Sequence, residues 1–306
     1  MDSAAPGPGA PAASDLLEIV VPAYGRSPLL TETLRSLSNF VPEGIRLSVL
    51  DDATPGLEVA DQVSPFAGRI SYWRNERNLG VSGAFNEAAR RATAEFLVLV
   101  GPDDRGVPRM IDTYLAGIAR FPTAAAIHPS VRPIDEAGRP SSNLTDRTKA
   151  LLRPAGGREY SGERLAERLL LGNWTYNPAI AWRCELVRRL GFAVQLHTAM
   201  DLDLLLRLAF TGESVALVDE LGLEYRRHSG AVSSMNAGSK RLREELRIHA
   251  EAATRAREMG WRRARLAAVL APTARLHGTL VALRGPRAQR RETLGLALAS
   301  ASRLRG

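Results

Sequence analysis

The chain has 306 residues, of which 45% are hydrophobic and 24% charged, and this composition excludes a disordered protein because it supplies a substantial core. Its single cysteine, Cys184, excludes an intramolecular disulfide and fits a reducing compartment, so we expect a cytoplasmic protein. No run of about 18 apolar residues occurs, which argues against a membrane-spanning helix. Residues 1–14 are rich in Pro, Gly, Ala and Ser without the pattern of a signal peptide, and they predict a flexible tail.

The net charge of +8 is distributed unevenly along the chain. Residues 239–306 contain 16 Lys and Arg against 5 Asp and Glu, which gives this region a net charge of +11 and leaves −3 for the rest. A basic region on a mildly acidic body predicts an anionic partner or surface for that region alone. Few aromatic residues lie among the basic ones, so we do not predict nucleic-acid binding.

The first half of the chain alternates short apolar runs with segments of helical periodicity. This alternation predicts an α/β fold with a mostly parallel sheet and helices on both faces. The predicted strands cover residues 16–21, 47–50, 70–73, 96–100 and 124–128, and the predicted helices cover 28–40, 82–93 and 108–121.

The second half begins with a polar, Pro- and Gly-rich stretch, residues 129–160, which predicts a long functional or mobile loop. Residues 174–182 read as a strand, and Pro178 places that strand at a sheet edge. The remaining predicted helices cover 163–171, 185–190 and 200–210, and the remaining strands cover 214–218 and 223–226.

From residue 239 the pattern is purely helical, with one helix to about residue 259, a second over 266–283 that is kinked at Pro272, and a third over 294–304. We therefore divide the chain into a tail (1–14), an α/β domain (15–235) and a basic amphipathic helical region (236–306). These helices either pack on the body or on a second subunit of a homo-oligomer, or they lie on an anionic membrane surface.

Two of the predicted strands end in paired carboxylates, Asp51-Asp52 and Asp103-Asp104. Ligands of open α/β sheets bind beyond the carboxyl ends of the strands, so these pairs are candidates for a site that holds a divalent metal and phosphates. The alternative for Asp103 and Asp104 is capping of the helix that starts near Pro108.

Four motifs occur in an order and spacing that resemble the inverting glycosyltransferases of family 2, which have the Rossmann-like GT-A fold. The motifs are IVVPAYGR, LSVLDDATPG, RNLGVSGAFNEAARRATAEFLVLVGPDD and MDLDLLLRLAFTG, and the resemblance covers about residues 17–230. It implies transfer of a sugar from a nucleoside diphosphate sugar, with UDP as the most favoured nucleotide, to a hydroxyl acceptor that is a saccharide or is lipid-linked.

The resemblance also implies roles for individual residues. Donor-binding roles fall on Pro22, Ala23, Tyr24, Arg26, Asp51, Asp52, Asn78, Gly80, Asn86, Asp103 and Arg227. Asp103, Asp104 and His228 match positions that hold Mn²⁺ or Mg²⁺, Asp201 matches the catalytic base, and Trp174 and Tyr176 match the acceptor side. Several have a structural alternative: an Asx-turn for Asp52, a plain turn for Asn78 and Gly80, core packing for Trp174, a helix-dipole contact for Asp201, and a solvated loop position for Arg26 and His228.

Two positions depart from the family pattern. Gly101 stands where the first acid of the Asp-x-Asp motif is usual, and Met200 stands where a Glu usually precedes the catalytic Asp. The first departure predicts weakened metal or ribose contacts. Both motivate a non-catalytic sugar-nucleotide-binding homologue as one alternative function. A second alternative is a sugar-phosphate nucleotidyltransferase, although residues 22–25 lack the Gly-rich loop of such enzymes.

Overall fold

The computed structural model describes residues 12–228, 239–284 and 293–295. Its core is an eight-stranded sheet in the order β3-β2-β1-β4-β7-β5-β8-β6. The strands are β1 (Leu17–Ala23), β2 (Arg46–Asp51), β3 (Ser71–Arg74), β4 (Phe96–Leu99), β5 (Ala126–Ile134), β6 (Arg158–Ser161), β7 (Ala181–Arg183) and β8 (Ser214–Arg226).

Helices connect most of these strands. In chain order they are α1 (Ala13–Leu16), α2 (Leu30–Phe40), α3 (Glu58–Val63), α4 (Gly80–Arg91), α5 (Met110–Arg120), α6 (Leu144–Leu152), α7 (Gly162–Leu171), α8 (Cys184–Leu190), α9 (Met200–Phe210), α10 (Ser239–Glu258), α11 (Arg262–Leu270) and α12 (Pro272–Arg284). Short 3₁₀ turns at Ser64–Phe66 and Asn177–Ala179 complete the chain's described elements.

The sheet is mixed but mostly parallel. β1 pairs in parallel with β2 and β4, β2 with β3, and β5 with β8, whereas β7 runs antiparallel to both β4 and β5, and β6 runs antiparallel to β8. The predicted fold class is therefore confirmed. The predicted edge position of residues 174–182 is wrong, because only Ala181–Arg183 is strand and it lies inside the sheet. Pro178 instead occupies the 3₁₀ turn, where its missing N–H costs no strand hydrogen bond.

Alternate residues along the strands build a core on each face. Val20 and Leu99 belong to the layer covered by α4, α7 and α9, whereas Ile19 and Val98 belong to the layer covered by α2 and α5. Successive strand side chains point to opposite faces, so each central strand contributes to both cores. This explains why the central strands read as unbroken apolar runs.

Residues 129–160 do not form the predicted long loop. β5 continues to Ile134, α6 follows, and β6 pairs with β8. The helix starts at a capping box in which the Asn143 side chain accepts from the Asp146 N–H at 2.9 Å and the Asp146 carboxylate accepts from the Asn143 N–H. The Asn-x-x-Asp spacing that forms this capping box is present in the sequence, but the surrounding Pro and Gly residues led to the prediction of a loop.

The C-terminal helices pack onto the body. Trp261, between α10 and α11, stacks on Phe210 with ring centroids 5.3 Å apart, and the Glu163 carboxylate accepts from the Arg263 N–H at 2.7 Å. The predicted kink at Pro272 is a complete break: Ala271 is left-handed (φ 41°) and Pro272 starts a new helix.

Of the predicted third helix, residues 296–304 lie outside the described residues, as do residues 1–11 of the predicted tail. Within the described part of the chain, no helix has both the length and the apolarity needed to cross a bilayer.

Candidate functional site

The carboxyl ends of β2, β1 and β4 lie side by side at one edge of the sheet. Neighbouring strands are about 4.8 Å apart, so the residues that follow β2 and β4 are separated by about 10 Å across β1. The segment before β7 reaches the same edge, because Ala181 at the start of this antiparallel strand pairs with Val98 near the end of β4. The segments 22–26, 51–52, 103–104 and 173–176, which contain many of the predicted site residues, therefore share one edge of the molecule.

At the end of β2, Asp51 is fully buried and its carboxylate has three partners. Its Oδ2 accepts from the Tyr72 hydroxyl and from the Arg74 guanidinium, both at 2.5 Å, and its Oδ1 accepts from the Thr54 N–H at 2.8 Å. Asp51 therefore joins the end of β2 to β3 and to the turn that follows.

The neighbouring carboxylate, Asp52, caps α4. It accepts from the Leu79 N–H at 3.0 Å, from the Gly80 N–H at 2.9 Å and from the Asn75 amide at 2.8 Å. Gly80 takes φ +72°, a conformation that favours glycine. Asp52 thus occupies the N–H groups at the start of α4, and the exposed Asn78 side chain accepts from the same Gly80 N–H at 3.0 Å.

The end of β1 presents Tyr24 to solvent. Ala23 is buried and its carbonyl accepts from the Asp52 N–H at 2.9 Å, while Gly25 (φ +73°) donates to Thr54 Oγ1 at 2.9 Å. These bonds fix the backbone on either side of Tyr24, whose side chain is 59% exposed. Pro22 is half-buried within the strand, and Arg26 is exposed.

The turn after β4 brings Asp103, Asp104 and His228 together. Asp103 Oδ2 lies 2.6 Å from His228 Nε2, and Asp104 Oδ1 accepts from the Arg226 N–H at 2.9 Å. The buried Arg226 guanidinium holds the turn from below, since it donates to the Asp103 carbonyl at 2.7 Å and to Glu32 at 2.6 Å. The capping interpretation is wrong, because α5 begins after a left-handed Arg109 and neither carboxylate reaches it.

The two carboxylates converge above Gly101. A Cβ at this glycine would lie 2.6 Å from Asp104 Oδ2 and 2.8 Å from Asp103 Oδ1, so only glycine leaves this space open. Asp104 Oδ2 is buried and has no hydrogen-bond partner among the described residues. Burial and the Asp103 charge raise the pKa of Asp104 well above its usual value.

This arrangement fits a divalent cation, which prefers carboxylate oxygens and would satisfy the unpartnered Asp104 oxygen. Within the described part of the chain, however, no three carboxylate, His or Cys side chains form a complete ligand set. A cation at this position therefore needs further oxygen ligands from a bound molecule.

Asp201 lies in the first turn of α9 and is 7% exposed. Its Oδ2 accepts from the Asn173 amide at 3.1 Å and from the Thr175 hydroxyl at 3.3 Å, which ties it to the segment before β7. The Lys149 ammonium donates to the Thr175 carbonyl, and burial lowers the pKa of Lys149 to about 8, against the attraction of Asp201. The Asp201 carboxylate thus reaches the same edge of the sheet as Asp103, with the Lys149 ammonium nearby.

The family model for glycosyl transferase family 2 matches residues 18–169, about half of the chain. The chain belongs to this family. It is also 26% identical over 195 residues to an uncharacterized glycosyltransferase of Haemophilus influenzae, and the alignment covers 63% of this chain and 62% of that relative, less than two thirds of its length.

Solved structures with the GT-A fold share the architecture. TarS residues 1–349 of S. aureus, in complex with UDP-GlcNAc, superposes with a TM-score of 0.67 at 17% identity, over 94% of this chain and 82% of that one. The mannosyltransferase PcManGT of Pyrobaculum calidifontis, in complex with GDP-Man and Mn²⁺, superposes with a TM-score of 0.60 at 18% identity, over 98% and 86%. These similarities establish the GT-A fold of this family 2 member.

Two roles carried over from the family 2 resemblance do not agree with the structure. Trp174 is 1% exposed and packs edge-on against His128 in the core, so it is not available to stack on an acceptor sugar. The Asn86 amide is bonded at both ends to the backbone of Phe192, at 2.9 and 2.7 Å, so it holds α4 to the segment after α8 and is not available to bind the donor.

Arg227 and Tyr176 both contact Asp146. The Asp146 Oδ1 accepts from Arg227 Nη2 at 2.6 Å and from the Tyr176 hydroxyl at 2.9 Å, and the Tyr176 ring carries the Lys149 ammonium 4.5 Å from its centroid. Tyr176 is half-buried beside Lys149, and its predicted place on the acceptor side stays a prediction.

The contact between α10 and the segment before Asp201 was not predicted from the sequence. The Glu244 carboxylate accepts from the N–H groups of His197 and Thr198, just before the helix that carries Asp201. A groove of about 460 Å³ beside this contact is lined by Gln195, His197, Lys240, Arg243, Glu244 and Arg247. Lys149, Asp146 and Glu244 lie far from the family motifs in sequence, and only the capping pattern around Asp146 gave a local signal.

Proposed function

We propose that this protein transfers a sugar from a nucleoside diphosphate sugar to a hydroxyl acceptor, with inversion at the anomeric carbon. The observation that carries the proposal is the convergence of Asp103 and Asp104 above Gly101, with one buried oxygen left unpartnered, on the same edge of the sheet as Asp201. In this proposal the Asp103–Asp104 pair holds a metal and the donor phosphates, and Asp201 is the carboxylate that takes a proton. Membership of glycosyltransferase family 2 supports the reaction class.

The donor in this proposal is a UDP-sugar. A structural neighbour, TarS, has been solved in complex with UDP-GlcNAc and with UDP, whereas another, PcManGT, holds GDP-Man. Because Asp51 and Asp52 are committed to internal hydrogen bonds, we assign contact with the base to the exposed Tyr24 and to the backbone at the end of β1.

We assign Mn²⁺ or Mg²⁺ to Asp103 and Asp104, with His228 next to Asp103 and the donor diphosphate supplying the remaining oxygens. When bound, the cation neutralises the charge that develops on the departing nucleoside diphosphate. Arg226 keeps both carboxylates in place by bonding the backbone of the turn, and Gly101 keeps the space between them open.

Asp201 is the general base in this proposal. Its Oδ2 is held by Asn173 and Thr175, and it takes the proton of the acceptor hydroxyl as that oxygen attacks the anomeric carbon. The acceptor is a saccharide or a lipid-linked glycan in the synthesis of a glycoconjugate or cell-envelope polysaccharide, and the enzyme acts in the cytoplasm.

A thermal-shift panel tests the donor assignment. UDP, GDP, dTDP and CDP are each added with and without Mn²⁺, and we expect UDP with Mn²⁺ to raise the Tm most, because ligand binding stabilises the native state. Asp103→Ala should remove the Mn²⁺-dependent part of the shift and the slow hydrolysis of the UDP-sugar. Binding without hydrolysis or transfer would identify a non-catalytic homologue, and pyrophosphate release from NTP and sugar phosphate would identify a nucleotidyltransferase.

A further inference from the structure

The helices α11 and α12 carry their large apolar side chains outward. The buried positions of α11, of α12 and of the junction between them are small residues, namely Ala264, Ala267, Ala268, Ala271, Ala274 and Gly278. Five of the large aliphatic residues are 40% to 60% exposed, namely Leu266, Val269, Leu270, Leu276 and Leu283, whereas Leu280 is half-buried. Positions 266, 269 and 270 share one face of α11, and 276 and 283 share one face of α12.

This distribution is the reverse of what packing on the body requires. A helix that only covers a core buries its large apolar residues and exposes polar ones. Here the inward face of the two helices consists mostly of alanine. In the contact with Ala271 and Ala274, the large side chains are Leu242 and Leu246 of α10. The outward leucines therefore need a second apolar environment.

The charge of the same region is of one sign. The sequence contains no acidic residue between Glu258 and Glu292, whereas Arg262, Arg263, Arg265, Arg275 and Arg284 lie within α11 and α12. Arg262, Arg263 and Arg265 are exposed. Apolar side chains flanked only by arginines complement a surface that has anionic groups on its outside and an apolar interior beneath them.

We propose that the outward face of α11 and α12 binds the surface of an anionic lipid bilayer. The leucines would enter the boundary between headgroups and acyl chains while the arginines meet the lipid phosphates. A second copy of the chain is a poorer occupant, because a two-fold interface would set these arginine-rich faces against each other.

The proposed lipid-binding face is connected to the acceptor side of the catalytic site. The Thr273 hydroxyl, in the first turn of α12, donates to the Leu171 carbonyl at 3.0 Å, and Gly172 lies so close that a Cβ would come within 2.8 Å of Thr273. The next residue is Asn173, which donates to Asp201. A hydroxyl on a membrane-bound acceptor would thus reach Asp201 from this face, and this step alone rests on the proposed function.

Co-sedimentation of the full chain with vesicles tests the lipid-binding face. One set of vesicles contains phosphatidylglycerol and phosphatidylcholine, and the other contains phosphatidylcholine alone. We expect binding to the first set only, and more than about tenfold weaker binding for the variant Leu266→Ser/Leu270→Ser/Leu276→Ser, because its serines no longer gain from burial among the acyl chains.

The matched control is Leu57→Ser/Leu144→Ser/Leu151→Ser, which changes three leucines of equal or greater exposure on the body and should bind like the wild type. An unchanged Tm shows that each variant is folded. Equal binding of both variants, or no binding of the wild type to the anionic vesicles, overturns the proposal. The proposal is also overturned if light scattering finds a dimer for the wild type and for the control variant but a monomer for the α11–α12 variant. Donor hydrolysis, measured in parallel without vesicles, reports on the proposed reaction independently.

Discussion

The Glu244 carboxylate accepts two hydrogen bonds from Thr198, one from its N–H at 3.0 Å and one from its hydroxyl at 2.9 Å. Glu244 belongs to α10, and Thr198 lies three residues before Asp201 in the segment that leads into α9. A helix beyond the region matched by the family model therefore fixes the position of the proposed base. The acidic side chain also suits this place, because it accepts from N–H groups that precede a helix.

Replacement of Glu244 by Ala should lower kcat for sugar transfer by about tenfold with little change in the KM for the donor. Loss of the carboxylate frees the 197–198 segment and misplaces Asp201, and small misplacements are costly to catalysis. Steady-state kinetics measure the split between kcat and KM.

Two further variants test whether the loss of activity comes from the Glu244 contact with Thr198 or from a general disturbance of α10. Glu251→Ala removes an exposed acid of the same helix and should leave kcat unchanged. Glu244→Gln keeps an acceptor oxygen for Thr198 and should recover most of the lost activity. A Glu244→Ala enzyme with wild-type kcat would contradict the positioning role.

Asp201→Asn should reduce transfer by at least about 100-fold while UDP still raises the Tm, because the amide cannot take a proton but keeps the shape of the site. Asp203→Asn is its control. Asp203 pairs with Arg207 at 2.8 Å on the same helix, and its loss should cost a few tenths of a kcal/mol in stability and leave transfer intact. Equal activity losses for the two variants would show that the effect comes from α9 as a whole.

The sequence was sufficient for the fold of the first hundred residues because their signals are local. Apolar runs of strand length that alternate with helical periodicity predicted β1 to β4 with errors of one or two residues. The paired carboxylates at the ends of β2 and β4 were also correctly placed at one edge, since parallel strands end on the same side. The motif could not reveal that Asp52 caps α4, because that bond spans 28 residues.

The second half was less predictable because its contacts are long-range. β7 has three residues and is strand only because β4 and β5 flank it, so no periodicity could separate it from the 3₁₀ turn before it. Trp174 was left between an acceptor contact and core packing, because whether an aromatic residue after a loop turns inward depends on the core that receives it. Glu244 was part of a charge pattern and gave no local sign of its bond to Thr198.

The pH profile of transfer should show a decrease above about pH 8 that depends on Lys149. Burial lowers the pKa of Lys149 to about 8, so the ammonium is charged below this pH and neutral above it. The charged form donates to the Thr175 carbonyl and faces Asp201, and loss of the charge weakens both contacts. A series of kcat/KM measurements between about pH 6 and pH 10 locates the decrease.

Lys149→Arg keeps a cation at this position over the whole pH range and should move the decrease upward. Lys240→Arg, an exposed position on α10, serves as the control and should give the wild-type profile. A decrease at the same pH in Lys149→Arg would assign it to another group.

Asp104→Asn should stabilise the protein at neutral pH and at the same time remove Mn²⁺-dependent donor binding. The folded pKa of Asp104 is raised well above its unfolded value by burial and by Asp103, so the folded state binds this proton more tightly than the unfolded state does. The resulting penalty is absent below about pH 4, grows as the pH rises through the unfolded pKa, and is present at pH 7. A neutral amide avoids it, and its oxygen can still accept from the Arg226 N–H.

Urea denaturation in EDTA measures this effect. At about pH 7 the free energy of unfolding of Asp104→Asn should exceed that of the wild type, and the difference should vanish toward about pH 4. Addition of Mn²⁺ in the presence of UDP should give further stability to the wild type alone, because its unpartnered Asp104 oxygen then acquires a ligand. A variant that is less stable than the wild type at pH 7 would mean that Asp104 supports the turn through its charge. The metal assignment would then rest on Asp103 alone.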